Sequence, residues 1–247
     1  MTPIDKKIKV LECIYCGIPL LSKKESLRIE KETKKYPDNG ETKDHVPQQC
    51  LYEGYPSSYK ENRFTVPSCH KCNLDFSLVE NELRDAIGIS NEKDSFQNEI
   101  TESSVKSILS RSDSKSRLII NEKGYVSGVE FNLDTLLPSH LKNFKGVFYK
   151  IYGFKVPENF SIHVLDTKQT NYFESLAIKF LNKNVEWKFS GHEDIFKFKI
   201  SLIKPDENGL LIKTENISES IGILCQLNYH KRFKITIIAF EKSLIMK

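Results

Sequence analysis

Four of the six cysteines stand as two pairs of one spacing, Cys13-Ile14-Tyr15-Cys16 and Cys69-His70-Lys71-Cys72. A Cys-x-x-Cys turn lets both sulfurs reach one ion at ~2.3 Å, and two such turns complete a tetrahedral thiolate shell, the donor set of a structural zinc. Disulfides are the weaker reading in a chain with no secretory leader. A redox pair is disfavoured, because there are two pairs and neither lies at a strand-to-helix βαβ turn. Between the pairs runs Asp44-His45-Val46-Pro47, and Asn62 and Asn73 flank the approach to and exit from the second pair. Phosphodiester hydrolysis needs a water deprotonated and aimed in line, and a cation to neutralise charge on the phosphate. A neutral imidazole with a pKa near ~6.5, such as that of His45, suits the first task. A carboxylate and an amide oxygen, such as those of Asp44 and Asn73, suit a hard cation that keeps room for waters and phosphate oxygens.

In this order the residues resemble the HNH, or ββα-metal, endonucleases of the zinc-stabilised kind. Their pattern is a Cys-x-x-Cys, an Asp-His with a following proline, an Asn introducing the second strand, and a Cys-x-x-Cys followed at once by His or Asn. The resemblance runs from Cys13 to Arg84, about a third of the chain. It implies that His45 is the general base. It further implies that Asp44 and Asn73 hold a catalytic Mg²⁺ or Mn²⁺, that Asn62 ties the loop backbone and so orients His45, and that zinc on Cys13, Cys16, Cys69 and Cys72 is a scaffold. The sequence departs from the fullest motif in having Asn73 where a His is common. A glycine pair is also replaced by Gly54-Tyr55-Pro56-Ser57-Ser58. The implied activity is a single-metal endonuclease on DNA leaving 5′-phosphate ends, with a homodimer or two events for a double-strand break. Small proteins of this kind are often restriction or anti-phage effectors. The competing reading is a non-catalytic zinc module that binds nucleic acid or protein, with Asp44 and His45 incidental.

Other candidates carry less. Arg63, Lys71 and Arg84 suit a phosphate-binding rim or, equally, a solvated charged face. His70 is expected exposed and non-catalytic, and His140, His163, His192 and His230 structural or superficial. Cys225 and Trp187 are expected in the core, while Cys50 has no assigned role.

The elements that must position these groups are legible from periodicity. Residues 22–43 are polar, with a turn at 34–40. Phe76, Val79, Leu83, Ala86 and Ile87 share one face of a helix expected to start after Cys72. Residues 1–92 are expected to form the zinc-stabilised HNH domain and 93–116 a polar connector, partly helical. Residues 117–247 are expected to form an α+β domain for recognition, dimerisation or docking a partner protein. In that part, residues 118–131 signal a hairpin about Asn121-Glu122-Lys123-Gly124. Residues 132–152 read as a helix interrupted by Pro138, and 161–165 as a strand. Phe173, Leu176, Ala177, Phe180 and Leu181 follow the spacing of an amphipathic helix. Alternation around Phe196–Leu202, Ile221–Leu227 and Phe233–Ile237 predicts an antiparallel sheet with one buried face. The fold class is therefore α+β.

Composition bounds the rest. In 247 residues, 39% are hydrophobic and 28% charged, as in ordinary globular proteins. No apolar run approaches the ~18–20 residues of a membrane span, and residues 1–10 lack a signal-peptide core, so a cytoplasmic protein is expected. The net charge of +4 is mild: residues 1–90 hold 14 Lys+Arg and 14 Asp+Glu, leaving 23 against 19 in the remainder. A strongly basic nucleic-acid surface is thus not announced, and affinity for DNA would need a dimer or partner.

Overall fold

A computed structural model describes residues 11–90, 97–165, 172–231 and 233–245; residues 1–10, part of the predicted connector (91–96) and Arg232 of the last predicted turn lie outside. It is mixed α and β. Helix α1 (Lys23–Thr33) precedes strand β1 (Glu41–Val46), which pairs antiparallel with β2 (Phe64–Cys69) in the register Asp44↔Val66 and His45↔Thr65. Helix α2 (His70–Ser90) begins on the residue after β2 and therefore includes Cys72 and Asn73, three residues earlier than expected. Asn73 is consequently within the first turn of the helix. Helix α1 lies in the polar stretch 22–43, just ahead of the turn expected at 34–40. It is held by a capping box in which Ser22 and Glu25 exchange hydrogen bonds.

Helix α3 (Gln97–Ser110) packs on α2, giving the connector its helical part, and a single turn α4 (Ser114–Arg117) leads into the hairpin of β3 (Leu118–Ile120) and β4 (Val126–Val129). Helix α5 (Leu133–Tyr152) runs unbroken through Pro138. That proline stands at the sixth position, where its missing N–H removes one bond near the helix start, and the helix continues. Asn132 caps its start and Gly153, with φ +81°, closes its end. There follow β5 (Phe160–Leu165), α6 (Tyr172–Asn184), the short β6 (Lys188–Phe189), β7 (Phe196–Pro205), β8 (Leu211–Thr214), β9 (Gly222–Tyr229), β10 (Phe233–Glu241) and a terminal turn α7 (Lys242–Ile245).

The large sheet is antiparallel in the order β5-β10-β9-β7-β6, with β8 also on β7. Its alternation is the predicted one: Phe196, Phe198, Ile200 and Leu202 of β7, with Cys225 and Leu227 of β9, face one buried cluster. Ala177 and Leu181 of α6 cover part of the other face. The main cluster does not stop at residue 117. Val46, Leu51, Tyr52, Val66, Leu83 and Ile87 pack in it beside Phe144, Phe148 and Phe196, so the stretch 1–92 and the later α+β part share one interior. Polar groups repeat the join. Ser190 accepts the Phe64 amide at 2.7 Å and donates its hydroxyl to the Val46 carbonyl, gripping the last pair of β1 and β2. Tyr52 donates its hydroxyl to the Ser190 carbonyl at 2.7 Å.

Trp187 differs from expectation. It is half-buried outside the core clusters, with the ammonium groups of Lys197 and Lys199 5.4 and 5.0 Å from its ring centroid. No helix among the described residues is long and apolar enough to cross a membrane.

Candidate metal centre and the hairpin it holds

The sulfurs of Cys13, Cys16, Cys69 and Cys72 all lie within 4.8 Å of one another. Two local turns and one long-range contact achieve this. Gly17 N–H bonds to the Cys13 carbonyl and Cys13 N–H to the Ile18 carbonyl, folding the first knuckle, and the Cys72 amide donates to Cys69 Sγ at 3.3 Å in the second. The Ile14 amide donates to the Pro67 carbonyl, laying the first knuckle along β2. Cys16 and Cys69 sulfurs stand 3.8 Å apart. Two thiolates bound at ~2.3 Å at the tetrahedral angle are also separated by ~3.8 Å, so this cluster fits a structural zinc. Burial pushes the Cys69 and Cys72 thiols upward in pKa. Around Cys13 burial acts the same way but is outweighed by backbone hydrogen bonds, and the thiol falls below its ordinary value.

The hairpin so clamped carries Asp44 and His45 on opposite faces, as the extended geometry requires. Lys43 and His45 stand on the more open face with Thr65 and Pro67, their partners in β2. His45 is half-buried. Its Nδ1 is shut from solvent and has no hydrogen-bond partner among the described residues. Burial, reinforced by the nearby Arg63 guanidinium, holds its pKa below the ordinary histidine value. Arg63 sits 5.1 Å from the Tyr52 ring centroid and donates Nε–H to the Lys60 carbonyl.

Asp44 points inward, 5% exposed. Its Oδ2 accepts the Tyr15 hydroxyl at 2.6 Å and its Oδ1 accepts Lys142 Nζ at 2.9 Å. Lys142 comes from α5 and its side chain is 0% exposed; its ammonium also bonds Glu80 of α2. The Phe76 ring lies against both Tyr15, at 5.1 Å between centroids, and Lys142. Burial raises the Glu80 carboxyl's pKa, with Lys142 opposing, and burial together with Asp44 raises that of the Tyr15 phenol. A divalent cation on Asp44 therefore does not fit this arrangement, because both carboxylate oxygens are engaged and a positive charge is already in place.

Asn73 is half-buried in the first turn of α2, on the helix face shared by Phe76 and Glu80 three and seven residues on. Asn62 is exposed at φ +56°, and its carbonyl receives the Gly191 amide at 3.4 Å. Its backbone shapes the turn into β2, and among the described residues its side chain makes no hydrogen bond to the loop. Of the expected rim, Lys71 is exposed and paired with Asp75, whereas Arg84 is buried between Asp85 and Glu53 and unavailable to a phosphate. His70 is half-buried against Tyr36. His140 and His230 are buried, bonded to Tyr229 and to the Leu51 carbonyl, and His192 stacks on Tyr59. Cys225 is in the core, and Cys50 bonds the Glu80 carbonyl.

Tyr15, Glu80 and Lys142 were missed by sequence reasoning. The available signal was Lys142 itself, a lysine of α5 one turn after Ser139 and beside Asn143 on the same face, all three buried.

No family model matches the chain, and neither the curated proteins nor the solved structures hold a match to it.

Proposed function

We propose that the chain is an endonuclease of the HNH kind acting on DNA, with His45 as general base. One observation carries this reading: a four-cysteine cluster pins a hairpin to the helix that follows it, and on the open face of that hairpin stands a half-exposed imidazole whose Nδ1 has no hydrogen-bond partner among the described residues. A histidine serving only the fold would normally have both ring nitrogens satisfied where they are buried. His45 takes the proton of the attacking water, and Arg63 beside it offers positive charge to a phosphate. Zinc is the scaffold, holding groups far apart in sequence. The resemblance assigns a divalent cation to Asp44 and Asn73, but the carboxylate of Asp44 is already engaged by Tyr15 and Lys142 and does not fit one. Cutting both strands requires a second copy or a second event, and a defence role belongs to the same resemblance.

The test is a plasmid-nicking assay on the zinc-loaded protein with and without Mg²⁺ or Mn²⁺. Wild type should nick and His45→Ala should lose about 10²–10⁴-fold in rate with its fold intact. If wild type nicks no form of DNA, the chain is a zinc module that binds nucleic acid or protein. That second reading is favoured by one observation, the neutralisation of Asp44 by Lys142.

A further inference from the structure

Lys142 is among the largest side chains wholly excluded from solvent, and it is charged. Desolvating an ammonium is so unfavourable that an apolar residue of similar size would normally serve the packing as well or better. What the ammonium has here is two carboxylates: Asp44 Oδ1 at 2.9 Å from β1, and Glu80 from α2. The ammonium also lies over the Phe76 ring, 5.5 Å from its centroid. The remaining Asp44 oxygen is closed by the Tyr15 hydroxyl. Hairpin, helix α2, first knuckle and α5 thus meet around one positive nitrogen. Mg²⁺ would have to bond a carboxylate oxygen at about 2.0–2.1 Å and keep several waters, in a space already holding a like charge.

We infer that Lys142 supplies the positive charge at Asp44 that the nuclease reading assigns to a divalent cation, so that the folded chain takes up no divalent ion there. The inference rests on that reading for its meaning, but its test does not. The zinc-loaded full chain is titrated against Mn²⁺ and free Mn²⁺ is followed by electron paramagnetic resonance. Wild type and Asp44→Asn, the latter checked for zinc content, should leave the signal equally unaffected. Uptake of one Mn²⁺ per wild-type chain that Asp44→Asn abolishes overturns the inference. A second measurement uses wild type alone and decides the matter if the variant does not fold. Lys142 should resist acetylation, read by mass spectrometry, equally with and without millimolar Mn²⁺. Labelling of Lys142 that grows with Mn²⁺ overturns the inference, since the ion would then have expelled the ammonium. Nicking by wild type but not His45→Ala upholds the nuclease reading whichever way the Mn²⁺ readouts fall, and its failure leaves them to be judged alone.

Discussion

Lys142 Nζ lies 2.9 Å from Asp44 Oδ1 across 98 positions of sequence, and neither side chain is more than 6% exposed. The pair couples the zinc-clamped hairpin to α5, so the first prediction concerns stability. Lys142→Met leaves Asp44 and Glu80 buried without their cation and should cost about 3–5 kcal/mol. Urea unfolding followed by circular dichroism should show a lower midpoint at unchanged slope. Adding Glu80→Gln should recover part of the loss.

Removing one thiolate opens the cluster. Cys69→Ser should fail to retain zinc by mass spectrometry and should melt at lower temperature, because binding free energy at a structural site is folding free energy. Cys225→Ser, whose thiol is in the core and far from the metal in role, should keep full zinc content.

Burial drives the pKa of His140 and of His230 down to about 4. Unfolded, each titrates near ~6.5. Between those values the unfolded chain binds more protons, so stability is complete above pH ~6.5 and is lost as pH falls towards 4. Two and a half units correspond to about 3 kcal/mol for each histidine. Unfolding free energies measured at about pH 5 and about pH 7 should differ in this sense. Their equality would mean that both rings charge freely in the fold.

Gly146 of α5 abuts β1, where an added Cβ would run into the Val46 side chain. Gly146→Ala should destabilise by about 1–3 kcal/mol through overpacking, and Val46→Ala in the same chain should relieve part of it. Additive losses in a double-mutant cycle would contradict the packing of α5 on the hairpin.

Spacing and period made much of the molecule legible. The two cysteine knuckles converge as their repeat suggests, and the apolar residues of β7, β9 and β10 alternate onto the main cluster as written. The opposite face, expected open, is largely buried as well, Gln226 and Asn228 of β9 included. Helix α1 was hidden by its polarity, although Ser22 and Glu25 carry a readable capping box. Pro138 misled because a helix tolerates the residue near its start. The surroundings of Asp44 were not legible: Tyr15, Glu80 and Lys142 lie 29, 36 and 98 positions away, and no local pattern records which distant charge a carboxylate will meet.

Ser190 grips both strands of the hairpin at the end next to its connecting loop, while lying directly after the large sheet's border strand. An excised piece ending before α3 would therefore expose the flanks of Val46 and Tyr52 to water and leave the Phe64 amide idle. Replacing one half by a foreign sequence would carry the same penalty.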